Sequence, residues 1–286
     1  MAEYFSFQAA LFFSIGHILI RRGLVDSNAM TGAFISLSMS AVILWVLLLW
    51  LIPLTNLWNP IVFYFIAAGI FAPGIGRTLS YVGIERIGVA RSVPIVNSSP
   101  IFASIFAVIF LGEVWVGQNI VGTVLVISGV VLLSMIKPAD RKWRKRDVIY
   151  PIVGAVAFGI SATLRKAGLD VLNIPVLAAA VTAGTAALFS FGLLQFQGRH
   201  QAFKLTRKSA SWLFPAGFFN TAAMLSVFYA LSHGKVVIVE PLVSSNPVLT
   251  LLLAALFLKD LEALTPRIIT GALLTVLGTI LVVTVK

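Results

Sequence analysis

Arg77 stands in the apolar run IFAPGIGRTLSYVG, and a guanidinium in hydrocarbon is costly enough that it must meet a partner, a cavity or the headgroups. Tyr81 follows one helical turn later on the same face. Placed near the inner end of its helix, Arg77 has three options: snorkelling to the cytoplasmic headgroups, binding an anionic group of a small molecule, or pairing with an acid. Glu240 is the candidate acid, because it falls inside a later apolar run and shares a face with Ser244 and Pro247. A carboxylate there either takes up and releases protons or forms a locking salt bridge to Lys235 or Arg77.

Prolines mark the other chemically suggestive positions. Pro94, Pro100, Pro241 and Pro247 lie in two long apolar runs, where each removes a backbone donor and frees the carbonyl four residues earlier. In lipid those carbonyls need partners. Asn97, Ser98 and Ser99, and likewise Ser244, Ser245 and Asn246, place amides and hydroxyls beside them. Two readings are open: kinks satisfied locally, or bent helices that present polar groups to a shared cavity. Repetition of the pattern favours the second. His17, Asn220 and Tyr229 are weaker candidates for the same cavity, since a lone histidine more often satisfies a neighbouring group than relays protons.

Several chemistries are excluded. Without cysteine there is no thiolate zinc site, thiol nucleophile or disulfide. His17, His200 and His233 are scattered, and no acid pair or zinc-ligand spacing accompanies them. A phosphate-binding loop is missing too. Accordingly no catalytic residue, metal or cofactor is expected.

The elements that position these groups can be read from composition. Hydrophobic residues make up 59% of the 286, charged residues 11%, and the mean hydropathy is +1.01, more apolar surface than a water-soluble fold of this size can hide. A bilayer must cover the rest. Crossing it takes about 20 apolar residues. Ten runs qualify: Tyr4 to Ile20, Met30 to Ile52, Ile61 to Val82, Gly88 to Leu111, Gly117 to Ile136, Val148 to Leu164, Ile174 to Gln195, Trp212 to Leu231, Val236 to Leu258 and Arg267 to Val285. Trp58, Trp115 and Trp212 stand near run ends as interface anchors. Met1 to Gln8 lacks the basic start and small-residue cleavage site of a signal peptide, so the first run is expected to be a retained helix.

The net charge of +11 reads as orientation rather than nucleic-acid binding, because the basic residues sit between apolar runs. Most of them come after odd-numbered runs: Arg21, Arg22, Arg86, Arg91, the KPADRKWRKRD segment at 137-147, and the 199-208 segment. Both termini are therefore expected outside a cell (inner or plasma) membrane, with the basic 137-147 linker cytoplasmic.

A shift of 147 residues lays Val93 to Glu113 on Glu240 to Asp260, and Pro94, Val96, Ser98, Pro100, Ala107, Phe110 and Leu111 then meet identical residues. At a shift of 149, Gly122 and Gly129 match Gly271 and Gly278, spaced for close packing of the fifth and tenth helices. The expected organisation is a first five-helix repeat over 1-136, the linker over 137-147 and a second repeat over 148-286. Five is odd, so the second copy enters the bilayer from the opposite side. Inverted repeats of this kind support alternating access around a midplane site.

The proline, apolar run and Leu-Gly-Glu of Pro100 to Glu113, together with the next helix carrying Gly122 and Gly129, resemble the EamA domain of the drug/metabolite transporter superfamily. Its second copy runs from Pro247 to Asp260 with Gly271 and Gly278. This resemblance implies an all-α integral membrane protein of ten transmembrane helices. It also implies a central cavity lined by helices one, three, four, six, eight and nine, and cargo drawn from amino acids, nucleotide sugars, sugar phosphates, drugs or other metabolites. The expected activity is secondary transport of a small polar or amphipathic metabolite, as an exporter, with proton coupling an option through Glu240. Substrate-path residues would be Arg77, Tyr81, Asn97, Ser98, Glu240, Ser244, Ser245, Asn246, His17 and Asn220. Partners are the small-molecule substrate and the lipid bilayer, with no nucleic acid, and a monomer suffices by size. An intramembrane lipid-modifying or hydrolytic enzyme, or a scaffold without transport, is the alternative.

Overall fold

The computed structural model describes residues 1–111, 117–134, 144–196, 203–234 and 265–283. Between 235 and 264 it also describes Val239, Leu242, Val243, Asn246, Leu249, Thr250, Leu253 and Ala254. All regular structure among these residues is helical. The elements are α1 Ala2–Gly23, α2 Ala29–Leu51, α3 Val62–Gly69, a π-helical segment Ile70–Gly76, α4 Arg77–Ile87, α5 Val89–Val96, α6 Ser99–Leu111 and α7 Gly117–Ser134. The second half holds α8 Ile149–Val171, α9 Pro175–Phe196, α10 Arg207–His233 and α11 Pro266–Val283. Most of the predicted Val236 to Leu258 run, and most of the 137-147 linker, lie outside the described residues.

Seven helices among the described residues are long and apolar enough to cross a membrane, counting α3 to α4 as one span and Arg91–Phe110 as another. Large apolar side chains line their outer faces. Val42, Val46, Leu49 and Trp50 on α2, and Phe218 on α10, are more than half exposed, a pattern that only lipid accommodates. Trp58 projects at the end of the second span as an anchor; Trp115 lies outside the described residues.

Helix starts obey ordinary capping chemistry. Asn28 accepts the Thr31 N–H at 2.8 Å to open α2, and Thr206 accepts the Ser209 N–H at 3.0 Å to open α10. The turn between the third and fourth spans depends on Gly88, whose φ of 87° suits a residue without Cβ.

The third span is broken in pitch. Over Ile70–Gly76 the backbone is π-helical around Pro73, so α4 begins at Arg77. In that register the Ala68 carbonyl would accept from residue 73, which is a proline and has no N–H. Ser161 on α8 donates its hydroxyl to Ala68 O at 2.9 Å, and Thr182 on α9 donates to Phe65 O at 3.2 Å. The gap in the helix ladder is thereby closed by neighbouring helices, as hydrocarbon demands.

The fourth span is broken as well. α5 ends at Val96, the chain turns through Asn97 and Ser98, and α6 restarts at Ser99. Pro100 therefore sits in the first turn of a new helix, where a missing donor costs nothing, and not in a helix interior as the apolar run alone suggests.

Packing crosses between the halves. α1 lies along α10, the third span against α8, α2 against α9, and α7 against α11. Contact in the last pair is backbone to backbone: a Cβ added at Gly129 would meet Gly271 O at 2.7 Å, and one at Gly278 would meet Gly122 O at 2.6 Å.

One end of the bundle is rich in charge. Arg86 pairs with Asp147 at 3.3 Å and lies over the Tyr150 ring, Lys208 pairs with Asp26 at 3.3 Å, and Glu85 accepts the Ala29 N–H at 3.1 Å. Ser27 bonds Lys204 O at 2.7 Å on the same face. This end gathers the finish of α1 and α4 and the start of α2, α8 and α10.

Candidate functional site

A cavity of about 100 Å³ lies between the halves. The first half contributes His17 from α1, Arg77, Ser80 and Tyr81 from α4, and Asn97 and Ser99 from the broken fourth span. From the second half come Phe158 and Arg165 on α8, Asn220 and Val227 on α10, and Asn246.

The helix that Arg77 opens continues to Ile87, which puts Arg77 near the middle of the Val62–Ile87 span rather than at the inner end expected from a run closing at Val82. It is only 6% exposed, so it does not reach the headgroups. Its Nη1 donates to Ser36 Oγ at 3.4 Å, and the Tyr81 hydroxyl donates to the same oxygen at 3.3 Å. Asn220 then donates from Nδ2 to the Tyr81 oxygen at 3.0 Å. Three helices, α2, α4 and α10, are thus joined in one polar chain along the cavity wall. Ser36 was not evident as a candidate, since a serine in an apolar helix carries no distinguishing signal.

The break at Asn97 meets the second half directly. Asn97 Nδ2 donates to Asn246 Oδ1 at 3.1 Å, while Asn246 Nδ2 donates to Asn97 Oδ1 at 2.8 Å. The remaining protons go to Val93 O at 2.8 Å and Val243 O at 3.0 Å. Ser14 Oγ on α1 lies 3.0 Å from Asn246 O. Ser98 serves its own turn: its hydroxyl donates to Ile95 O at 2.7 Å, and it does not line the cavity. Pro94 stays inside α5 beside the Val93 carbonyl that Asn97 caps.

His17 lies with its ring stacked on Phe13, the centroids 6.3 Å apart, and its Nδ1 is buried without a hydrogen-bond partner among the described residues. Tyr229 stacks on Phe5 instead and is not part of the cavity wall. Glu240, Ser244, Ser245, Pro241 and Pro247 lie outside the described residues.

Arg165 was missed as a lining residue because the charges of Arg165 and Lys166 mark a loop after Leu164. α8 instead continues to Val171. Lys166 pairs with Asp170 one turn on, while the Arg165 guanidinium sits 5.6 Å over the Phe228 ring, with its Nε donating to Ser161 O at 3.3 Å. The signal was helical periodicity: Phe158, Ser161 and Arg165 recur at three and four residues, which puts them on one face.

Comparison with known proteins agrees with the architecture. A crystal structure of a protein 17% identical to this chain superposes with a TM-score of 0.69, covering 99% of this chain and 97% of that one, which establishes the fold. No curated protein matches the chain in sequence. The model of the EamA-like transporter family matches twice, over residues 1–135 and 146–284. With both halves matched, the chain belongs to the EamA-like transporter family, as two tandem EamA domains of the drug/metabolite transporter superfamily.

Proposed function

We propose that this membrane transporter is a secondary carrier that exports a small polar metabolite by alternating access, with the central cavity as its binding site. The observation that carries the reading is the wall of that cavity: both halves build it, and the Asn97 and Asn246 amides join them across it. A site shared by two repeats is what rocking of one against the other requires. Its volume, about 100 Å³, is below the roughly 300 Å³ at which drug-sized pockets begin. A compact metabolite suits it better than a drug.

The reading includes ten crossings, the ninth over Val236 to Leu258, in two inverted repeats over 1-136 and 148-286 joined by the 137-147 linker. Inversion is supported by direction: α1 finishes at the charged end of the bundle and α8 starts there. The basic residues of that end support a cytoplasmic placement in the cell membrane, with both termini outside. Since the chain has no cysteine, Asn56→Cys and Lys142→Cys can test this: an impermeant maleimide on intact cells labels the first and spares the second.

Flux in reconstituted vesicles tests the function. Saturable movement of a compact metabolite, abolished by Asn97→Leu and accelerated by a pH gradient, is the expected result. Turnover of a substrate in detergent without a second compartment, and no flux in vesicles, refutes it.

A further inference from the structure

Arg77 holds a full positive charge at mid-span, and Ser36 Oγ is its one polar partner among the described residues. A hydroxyl at 3.4 Å supplies no counter-charge, and a buried cation without one is strongly disfavoured. The guanidinium carries five N–H donors in a planar fork, so a single bond to Ser36 leaves most of the fork for the cavity it lines. His17 lines the same cavity and brings a second unmet group, the buried Nδ1. Phe13 and Phe158 supply apolar walls beside these polar groups.

Resting on the transport reading above, we propose that the cavity recognises the oxyanion of a small organic anion, a carboxylate or a phosphate ester, with Arg77 as its charge partner and His17 Nδ1 as a further donor. Ser36 holds the guanidinium by one edge, Tyr81 holds Ser36, and Asn220 holds Tyr81. The fork that remains matches two oxygens of a carboxylate or phosphate. Phe13 and Phe158 take the carbon skeleton. Neutral or cationic molecules of the same size bring Arg77 no counter-charge, and none stands beside it among the described residues, so they are rejected.

The test uses the purified full chain in detergent, with succinate, glycerol 3-phosphate, glucose and choline as probes, read by titration calorimetry and thermal shift. Succinate or glycerol 3-phosphate binds saturably, and which of the two binds tells carboxylate from phosphate; glucose and choline do not bind. Arg77→Gln lowers the anion affinity on the order of tenfold or more, Arg77→Lys by less because it keeps the charge without the fork, and His17→Asn by less again. Arg77→Gln removes a buried charge, so it melts no lower than the parent, and lost binding is then not lost folding. As a check on the unmutated protein, succinate or glycerol 3-phosphate protects Arg77 from phenylglyoxal, followed by peptide mass. Failure of both anions to bind the parent, or binding of glucose or choline that survives Arg77→Gln, overturns the proposal. Anion binding that needs Arg77 without flux of that anion in vesicles keeps the site and sinks the transport reading; flux of a neutral cargo untouched by Arg77→Gln does the reverse.

Discussion

Asn97 and Asn246 form a reciprocal amide pair across the two halves, each donating one proton to the other and one to a carbonyl of its own helix. All four amide protons are used. Truncating Asn97 strands the buried Asn246 amide, at a cost of about 1–3 kcal/mol, and truncating Asn246 strands the half-buried amide of Asn97. Asn97→Ala and Asn246→Ala should each lower the melting temperature in detergent, and the double variant should lower it by less than the two shifts together. Fully additive shifts would show that the pair contributes nothing as a pair.

The hydroxyl of Ser161 stands in for the N–H that Pro73 lacks, bonding Ala68 O at 2.9 Å. Ser161→Ala is therefore expected to destabilise the protein by about 1–3 kcal/mol. Pro73→Ala restores a backbone donor at that position and should recover part of the loss in the double variant. Melting curves of the four proteins, parent included, decide it; no recovery means that the proline is not the cause of the unmet carbonyl.

Gly129 and Gly278 let α7 and α11 touch backbone to backbone, and neither lines the cavity. A leucine at either position collides with a carbonyl oxygen that has no means of yielding, with overpacking of about 1–3 kcal/mol or more. Gly129→Leu and Gly278→Leu should reduce yield and melting temperature while the molecules that fold keep the parent KM. A raised KM would bring these helices into the transport path.

Glu240 falls in an apolar run, at the position that carries Val93 in the first half. Glu240→Gln is expected to abolish flux in vesicles, with or without a pH gradient, without preventing insertion. Full activity of that variant removes Glu240 from the transport cycle.

The helices were legible because lipid imposes a simple rule: long apolar runs, interrupted by charge. That rule located α1, α2, α9 and α10 within a few residues of their ends. It failed at α8, where Arg165 and Lys166 look like a loop, although Arg165 lines a cavity and Lys166 pairs with Asp170 while the helix continues. Arg77 was legible as a type, a charge among apolar residues, but its depth was not, because the apolar run closes at Val82 while the helix continues through Glu85 and Arg86 to Ile87. The Asn97 and Asn246 pairing was out of reach for another reason. Asn97 aligns with Ser244, and Asn246 with Ser99, so the repeat itself sets each asparagine opposite a serine, and only the fold brings the two amides together.

The widened turn at Ile70–Gly76 has an evolutionary consequence. Such a turn amounts to one surplus residue in an otherwise regular helix, and each residue rotates the remainder of the helix by about 100°. Deleting one residue there would restore an ordinary helix and swing Arg77 from the interior toward the lipid. Relatives that carry or lack this single residue would differ in whether a cation faces the central space at all, so a length change of one, with no substitution in the wall, is enough to change what such a protein accepts.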